Sequence, residues 1–180
     1  SYRLDKCLYE PLTVSIASSF TLISTYETEI KAVNNAIEKT LKGIDPNAYQ
    51  SLLSIPGIGP VMAAGILSEI GYIDAFKNQE ALAKYAGLVW RENQSGNFQA
   101  DDTPLSKAGN AYLRYYLIEA TSHVKNHCGE FAAFYQKKYD EVKIHQHKRA
   151  LALTARKFVR LIFGLLANHQ LYSSDRVVQA

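Results

Sequence analysis

Two serines in one polar segment are the first candidates for chemistry in this sequence. The segment WRENQSGNFQADDTPLSKAGN (90–110) contains Ser95 before a glycine and Ser106 before a lysine. A serine hydroxyl is a weak nucleophile unless a base or a cation stabilises its alkoxide. No His–Asp pair lies near Ser95 in the sequence, so the segment lacks the pattern of a Ser–His–Asp triad.

The cations around these serines favour phosphoryl chemistry instead. Arg91, Lys107 and Arg114 could stabilise the charge that develops on a phosphodiester in its transition state. Most loop serines are solvated, however. Ser106, which follows a proline by two residues, is expected to N-cap the next helix. On these residues alone, a polar loop is the simpler interpretation of the segment.

The stretch DPNAYQSLLSIPGIGPVMAAGILSEIG (45–71) is the most specific motif in the chain. Asp45 and Pro46 predict the start of a short helix, and Pro60 predicts the start of a second helix that ends at Gly71. The letters IPGIGP between them predict a tight turn. The stretch resembles the helix-hairpin-helix motif of many DNA-handling proteins.

The turn of this motif predicts a phosphate-binding site. Gly57 and Gly59 flank Ile58, which we expect to be buried. Such a turn directs backbone N–H groups outward at the positive end of a helix dipole, where phosphate oxygens are natural ligands. Because these contacts touch no base edge, binding would not depend on nucleotide sequence. The alternative is a corner between two helices that binds nothing.

The distribution of charge also indicates a local contact with a polyanion. Residues 1–102 contain 8 Lys and Arg against 12 Asp and Glu, whereas residues 103–180 contain 12 against 5. A basic half beside an acidic half favours binding of a polyanion at one localised surface over non-specific binding across the whole protein.

The basic half contains a predicted helix with an arginine stripe. Arg149, Arg156 and Arg160 are spaced to share one face, with Lys148 and Lys157 beside them. Such a face would bind phosphates with strong salt dependence. A solvated helix face is the alternative.

The sequence does not predict a metal site in this chain. His145 and His147 are two residues apart and would point away from each other on a helix. Asp101 and Asp102 are adjacent and do not easily converge on one ion. The two cysteines form no CxxC pair, so a reduced, cytoplasmic protein without a bound cofactor is the simplest interpretation.

The first forty residues show a heptad repeat. Isoleucine recurs every seven residues, at Ile16, Ile23, Ile30 and Ile37. The matching d positions are Leu12, Ser19, Tyr26, Val33 and Thr40. This pattern predicts a coiled-coil helix with Pro11 in its first turn and its end at Gly43, and β-branched a positions favour a two-stranded pairing. A long helix packed on its own protein is the alternative.

The remainder of the chain predicts further helices around one long connection. Helices are expected from Asn78 to Ala86, over 107–124 with Leu113, Leu117 and Val124 inward, over 130–142, and from His145 to Asn168 with Leu151, Phe158, Ile162 and Leu166 inward. The connection 88–105 has no periodic pattern, and connections longer than ~12–15 residues are usually functional or disordered.

We therefore predict an all-α fold with a long coiled-coil helix followed by a compact helical domain. Its parts are a coiled-coil arm (1–43), a helical domain (44–172) with the helix-hairpin-helix (45–71) and a long active-site loop, and a tail (173–180). Apolar residues make up 47% of the chain, and no apolar run approaches the ~20 residues of a membrane span. Because the first residue is Ser1 and not Met, we expect a fragment of a longer protein.

Four segments in this order resemble one bacterial transposase family. They are IPGIGP, KYAGLVW, QSGN with LSKAGNAYLRYYLIEA, and HKRALALTARKFVRLIFGLL. They are similar to the C-terminal part of the insertion sequence one-ten family, which includes the Piv-type site-specific DNA invertases. The resemblance covers roughly residues 48–172, and the coiled-coil arm fits a segment that precedes this region in the family.

The resemblance implies that Ser95 is catalytic. In the family, the serine of a Ser-Gly motif is the nucleophile that becomes attached to cut DNA, and its Ser-Ser-Gly-Gly pattern is here Gln94-Ser95-Gly96-Asn97. The family's Ser-Lys-x-Gly-Asn/Asp pattern is matched by Ser106, Lys107, Gly109 and Asn110. Arg91, Ser106, Lys107 and Arg114 would support the reaction.

The resemblance also implies partners and a cofactor. Family members carry a RuvC-like N-terminal domain with four metal-binding acids, which would hold Mg²⁺, and a structured guide RNA from the same element. DNA would be the substrate, contacted by Gly57, Ile58, Gly59, Lys148, Arg149, Arg156 and Arg160. The coiled coil would form a homodimer or higher oligomer. We expect this chain alone not to cleave DNA.

Two other functions remain open from the sequence. The chain could be a non-catalytic DNA-binding and dimerisation module, or a scaffold in which the coiled coil is the functional part. Replacing Ser95 by Ala in the full-length protein separates a nucleophile from the first of these alternatives.

Overall fold

The computed structural model describes residues 4–90, 94–95, 98–99 and 105–174. These residues form seven α-helices, one short 3₁₀ helix (Ile73–Ala75) and one pair of two-residue strands. The helices are α1 (Leu4–Ile44), α2 (Pro46–Leu53), α3 (Pro60–Ile70), α4 (Gln79–Tyr85), α5 (Ala111–His127), α6 (Gly129–Asp140) and α7 (Gln146–Ala167). The prediction of an all-α fold is confirmed. The chain divides into two compact units, 1–40 and 41–180.

Helix α1 runs without interruption through Pro11 and past Gly43. The prediction that Pro11 lies in the first turn was wrong, because the helix already begins at Leu4. The apolar heptad residues are exposed, from 39% at Ile37 to 63% at Tyr26. Their pairing in a coiled coil stays a prediction.

The two polar d positions of α1 are satisfied within the helix. The hydroxyl of Ser19 donates to the carbonyl of Ser15 at 2.9 Å, and that of Thr40 donates to the carbonyl of Ala36 at 2.9 Å. Because each hydroxyl already has an acceptor, these residues do not require a polar partner on the same face.

The two helices and the turn of residues 45–71 form as predicted. Asp45 caps α2, since its Oδ1 accepts a hydrogen bond from the amide of Ala48 at 2.9 Å. Pro60 is the first residue of α3, and Gly71, with φ 67°, ends that helix. The local signals were sufficient here because caps and prolines act within one helical turn.

Helices α2 to α7 share one core. Leu113, Leu117 and Val124 of α5 are fully buried, as predicted. Phe158, Ile162 and Leu166 of α7 are buried as well. Leu151 is only half-buried, since Ala150 and Thr154 occupy the interior at that end of the helix.

Gly65 sets the closest approach between α3 and α5. A Cβ atom at this buried position would overlap the ring of Tyr116. The helices therefore approach as closely as they do because α3 has no side chain there.

Helix α5 begins at Ala111 and not at Ser106. Asn110 is its N-cap, and the Oδ1 atom of Asn110 accepts hydrogen bonds from the amides of Tyr112 and Leu113, both at 2.9 Å. The expectation that Ser106 caps this helix was wrong. Lys107 (φ 52°) and Gly109 (φ 128°), which lie between Ser106 and Ala111, do not have helical backbone geometry. Within the described ranges, each helix is too short or too polar to span a bilayer.

Candidate functional site

Ser95 lies in a small β-hairpin. Strand β1 (Gln94–Ser95) pairs antiparallel with β2 (Phe98–Gln99), with Ser95 opposite Phe98. Outside these strands, Trp90 forms an isolated bridge with Leu105. The interpretation of 88–105 as wholly irregular was therefore wrong for these residues, which are too few to show a period-2 pattern. The backbone of the candidate nucleophile is held by a partner strand.

Arg114 joins the two ends of this connection. Its Nη1 donates to the carbonyl of Ala86 at 3.1 Å and to the carbonyl of Lys107 at 3.0 Å. The periodicity of the predicted helix 107–124 places Arg114 on its outward face, but the side chain is half-buried against these carbonyls. A backbone hydrogen bond also joins the two ends of the connection, since the amide of Ser106 donates to the carbonyl of Val89 at 2.7 Å. Arg114 thus joins Ala86 to Lys107, which lie on either side of the connection that carries the hairpin.

Two glycines make this junction close-fitting. A Cβ atom at Gly87 (φ 68°) would lie 2.6 Å from Nη1 of Arg114, and a Cβ atom at Gly109 (φ 128°) would overlap the carbonyl oxygen of Tyr85. Both backbone angles also favour glycine. The junction therefore requires glycine at both positions.

Asn110 is a junction residue whose capping role the sequence analysis missed. Its Nδ2 donates to Oε2 of Glu69 at 2.8 Å and to the hydroxyl of Tyr85 at 3.2 Å, while its amide donates to the Tyr85 carbonyl at 2.7 Å. Asparagine is as good an N-cap as serine. The letters GN directly before AYLRYYL were the signal that could have located this helix start.

The other supporting residues take different places. The side chain of Lys107 is exposed and does not share the two hydrogen bonds to carbonyls that hold Arg114. Ser106 is half-buried, and its Oγ accepts a 3.4 Å hydrogen bond from the amide of Ala108. Arg91 and the side chain of Ser95 lie outside the described residues.

The turn between α2 and α3 offers fewer amides than the sequence predicted. Ile58 is buried, as expected, but its N–H donates to the carbonyl of Ile55 at 3.0 Å. Phosphate contact by the Ile58 amide would require that bond to break. The first helical bond of α3 joins the amide of Ala63 to the carbonyl of Gly59 at 3.0 Å. The amides of Val61 and Met62 precede it and have no helical acceptor.

The turn packs against the C-terminal end of α5. A Cβ atom at Gly57 (φ 92°) would lie 3.0 Å from the carbonyl oxygen of His123 and 3.0 Å from Nδ1 of His127. The Nδ1–H of His127 donates to that carbonyl at 2.9 Å. Both imidazoles are exposed. No local pattern in the sequence connects these two histidines with the turn.

The arginines of α7 have separate partners. Arg149 donates to Oε2 of Glu141 at 3.1 Å and to the carbonyl of Lys138 at 3.3 Å. Arg156 donates to the carbonyl of Gln79 at 3.3 Å. Arg160 is exposed. The three arginines therefore do not form the continuous stripe that was expected, because each has a different environment. Arg160 and Lys148 are the exposed cations of this face.

Glu141 is held in its charged form by its basic neighbours. A hydrogen bond from Lys138, followed by one from Arg149, lowers the pKa of its carboxyl. Arg149 therefore serves first as an ion-pair partner, and binding a phosphate would compete with that pair.

The described residues provide no group of three or more His, Cys, Asp or Glu side chains that could hold a metal ion. His145 occupies the position before α7 with φ 55°, and Nδ1 of His147 shares a 2.7 Å hydrogen bond with the hydroxyl of Tyr135. Burial raises the pKa of Tyr135, so this hydroxyl stays protonated near neutral pH.

Residues 49–136 match the family model described as Transposase IS116/IS110/IS902 family. The chain is 30% identical over 174 residues to the transposase for insertion sequence element IS1111A of Coxiella burnetii, which covers 94% of the chain and 43% of that relative. It is 26% identical over 151 residues to a probable family 20 transposase of Pseudomonas aeruginosa, with 83% and 44% covered.

A third relative comes from Streptomyces coelicolor. It is the uncharacterized 43.6 kDa protein of insertion element IS110, 27% identical over 162 residues, with 89% of the chain and 38% of the relative covered. The chain thus spans less than half the length of each of these three relatives.

Proposed function

This chain carries a transposase domain of the IS116/IS110/IS902 family, and we propose that it is the serine-bearing domain of a DNA transposase or site-specific recombinase. The observation that carries the proposal is the extent of the family match. Residues 49–136 include both the turn at Gly57–Gly59 and Ser95. One domain thus contains a candidate phosphate site and a candidate nucleophile.

The proposed reaction is a transesterification at phosphorus. Oγ of Ser95 attacks a DNA phosphodiester, an O–P bond to serine forms, and the P–O bond to one deoxyribose breaks. The serine proton passes to a base, and the departing DNA oxygen takes up a proton and leaves as a hydroxyl. A hydroxyl of another DNA strand then attacks the phosphoserine and releases Ser95.

The position of Ser95 in a tied hairpin supports this role. Pairing with β2 holds its backbone, and Arg114 holds the two ends of the connection that carries the hairpin. A catalytic group is effective when the surrounding structure fixes it near its productive geometry. Lys107 and Arg91 are the proposed cations for the reacting phosphate, while Arg114 acts through the backbone.

Proposed contact with DNA uses two surfaces. The Gly57 and Gly59 amides, with the first free amides of α3, would bind backbone phosphates at the helix start. Lys148 and Arg160, both exposed on α7, would neutralise further phosphates. Because these contacts are to phosphate, the resulting affinity would be sequence-independent and sensitive to salt.

The proposed assembly is a homodimer or higher oligomer formed by α1. Its exposed isoleucines recur every seven residues, and an apolar row of this kind is stabilised when a second helix covers it. In the full-length protein we further propose a RuvC-like domain with Mg²⁺ and a guide RNA, as the resemblance implies. The described residues contain no group of three or more His, Cys, Asp or Glu side chains that could hold Mg²⁺, and the proposed RuvC-like domain would hold the ion.

The decisive test is to trap the protein–DNA adduct. Full-length protein would be incubated with DNA that carries the ends of its element, digested, and mapped by mass spectrometry. We expect a nucleotide on the peptide that contains Ser95, and loss of the adduct in Ser95→Ala. Ser24→Ala, an exposed serine on α1 outside the a and d positions, is the matched control and should keep the adduct. Undiminished recombination by Ser95→Ala would instead support a non-catalytic DNA-binding and dimerisation module.

A further inference from the structure

Unit 41–180 contains a cavity of about 760 Å³ that has no part in the proposed reaction. It lies between the start of α4, helix α6, the C-terminal half of α7 and residues 168–173. Its apolar lining includes Phe131, Phe134, Leu161 and Leu165. The cavity is large enough for a planar ring system.

One acceptor in this lining lacks a donor. Oε1 of Glu130 pairs with Nζ of Lys157, but Oε2 is buried and accepts no hydrogen bond from the described residues. A buried carboxylate oxygen without a donor is unfavourable. A ligand with an N–H group at this position would satisfy it.

The same lining carries two guanidinium groups. Arg156 is anchored to the carbonyl of Gln79, whereas Arg160 is exposed and makes no ion pair or hydrogen bond among the described residues. The exposed carboxylate of Glu80 also belongs to the lining, and its pKa is lowered by a backbone hydrogen bond and one from Gln79, and then by the charges of Arg156 and Arg160. The cavity therefore combines an apolar interior, a carboxylate oxygen without a donor, and two guanidinium groups beside one exposed carboxylate. A nucleotide has the complementary parts, which are a flat base, an N–H edge and a phosphate.

We propose that this cavity accepts a nucleobase turned out of single-stranded nucleic acid, with an exocyclic amine donating to Glu130 Oε2 and a phosphate beside Arg160. The inference rests on the proposed function and adds to it a base-reading contact. Cytosine fits this acceptor because its N4 amine donates, whereas thymine presents a carbonyl oxygen at the same place. The site would therefore select the base by its edge.

The test compares two oligonucleotides on the full-length protein. Fluorescence anisotropy would measure the affinities for oligo(dC) and oligo(dT), and we expect a preference of about tenfold for oligo(dC), equivalent to one hydrogen bond to a charged acceptor. Glu130→Gln, whose amide also donates, should reduce this preference to near unity. Glu119→Gln, on α5 and outside the cavity lining, is the matched control and should keep it.

A second variant keeps the test independent of Glu130. Arg160 is exposed, so Arg160→Ala should fold. Because its phosphate contact is common to all nucleotides, the variant should bind both oligonucleotides more weakly than Lys143→Ala, which removes a positive charge outside the cavity, and should keep the preference for oligo(dC). Equal affinities for the two oligonucleotides in the unmodified protein would overturn the inference while leaving the serine mechanism intact. Absence of any nucleic-acid binding would overturn both, and serine-adduct failure with the base preference retained would overturn the mechanism alone.

Discussion

Asn110 and Glu69 lie 41 residues apart in the sequence, and Nδ2 of Asn110 donates to Oε2 of Glu69 at 2.8 Å. The same side chain caps α5 through Oδ1. One residue thus fixes both the start of α5 and its attachment to α3, directly after the connection that carries Ser95.

Replacing Asn110 by Ala should lower the free energy of unfolding by about 1–3 kcal/mol, because a cap and a partly buried hydrogen bond to a carboxylate are lost together. Urea denaturation measures the change. Asn110→Ser retains a capping oxygen without the bond to Glu69 and should lose less. Equal losses in the two variants would mean that the cap contributes nothing.

Arg114→Ala should slow adduct formation by about tenfold or more while leaving affinity for DNA unchanged, since misplacement of a catalytic group reduces rate before binding. Arg114→Lys, which can reach one carbonyl, should recover part of the rate. Single-turnover kinetics and a binding titration separate the two effects. Lys137→Ala, an exposed change on α6, is the control. A proportional loss of affinity in Arg114→Ala would instead assign its guanidinium to direct DNA contact.

Gly65→Ala should destabilise the protein by about 1–3 kcal/mol, because the new methyl group overlaps the Tyr116 ring. Gly164 in α7 is the matched control, since a Cβ atom there meets nothing within 4 Å. Gly164→Ala should stabilise the protein by about 0.5–1 kcal/mol through helix propensity. Thermal unfolding of both variants measures the contrast, and effects of the same sign would contradict it.

The free energy of unfolding should decrease at alkaline pH because of Tyr172. Burial, and then its hydrogen bond with Cys128, raises the pKa of Tyr172 above its ordinary value of 10.0. Above that pH the unfolded chain releases this proton first, so the contribution of Tyr172 is present below pH 10.0 and is lost as pH rises through the folded-state pKa.

Denaturation from pH 9 to about pH 11 would test this sign, and Tyr172→Phe should fall less steeply in stability than the unmodified protein. Tyr112→Phe removes an exposed tyrosine and serves as control. A steeper fall in Tyr172→Phe would show that the sign is wrong.

Ile23→Lys should weaken self-association of the protein, because it places a charge in the apolar a row of α1. Sedimentation velocity measures the mass. Thr28→Lys changes an f position of the same heptad and should leave the mass unaltered. An unchanged mass for Ile23→Lys would remove the proposed role of the heptad face.

The sequence by itself determined the features that depend on neighbours within a turn or two. The α2–α3 hairpin, with its Asp45 cap and its turn at Gly57, followed from residues whose conformational preferences are local. The buried faces of α5 and most of α7 followed from periodicity, because a helix places every third or fourth residue on one side.

Only the tertiary structure decided which of several equivalent local choices is used. Ser106 and Asn110 were both suitable caps by residue type. The folded protein uses Asn110, whose side chain also donates a hydrogen bond to Glu69 on α3. Arg114 could have faced solvent by its sequence position, but two carbonyls from opposite ends of the connection hold it inward. A long side chain takes the partners that the fold brings within reach, and those partners lie too far along the chain for a local pattern to indicate them.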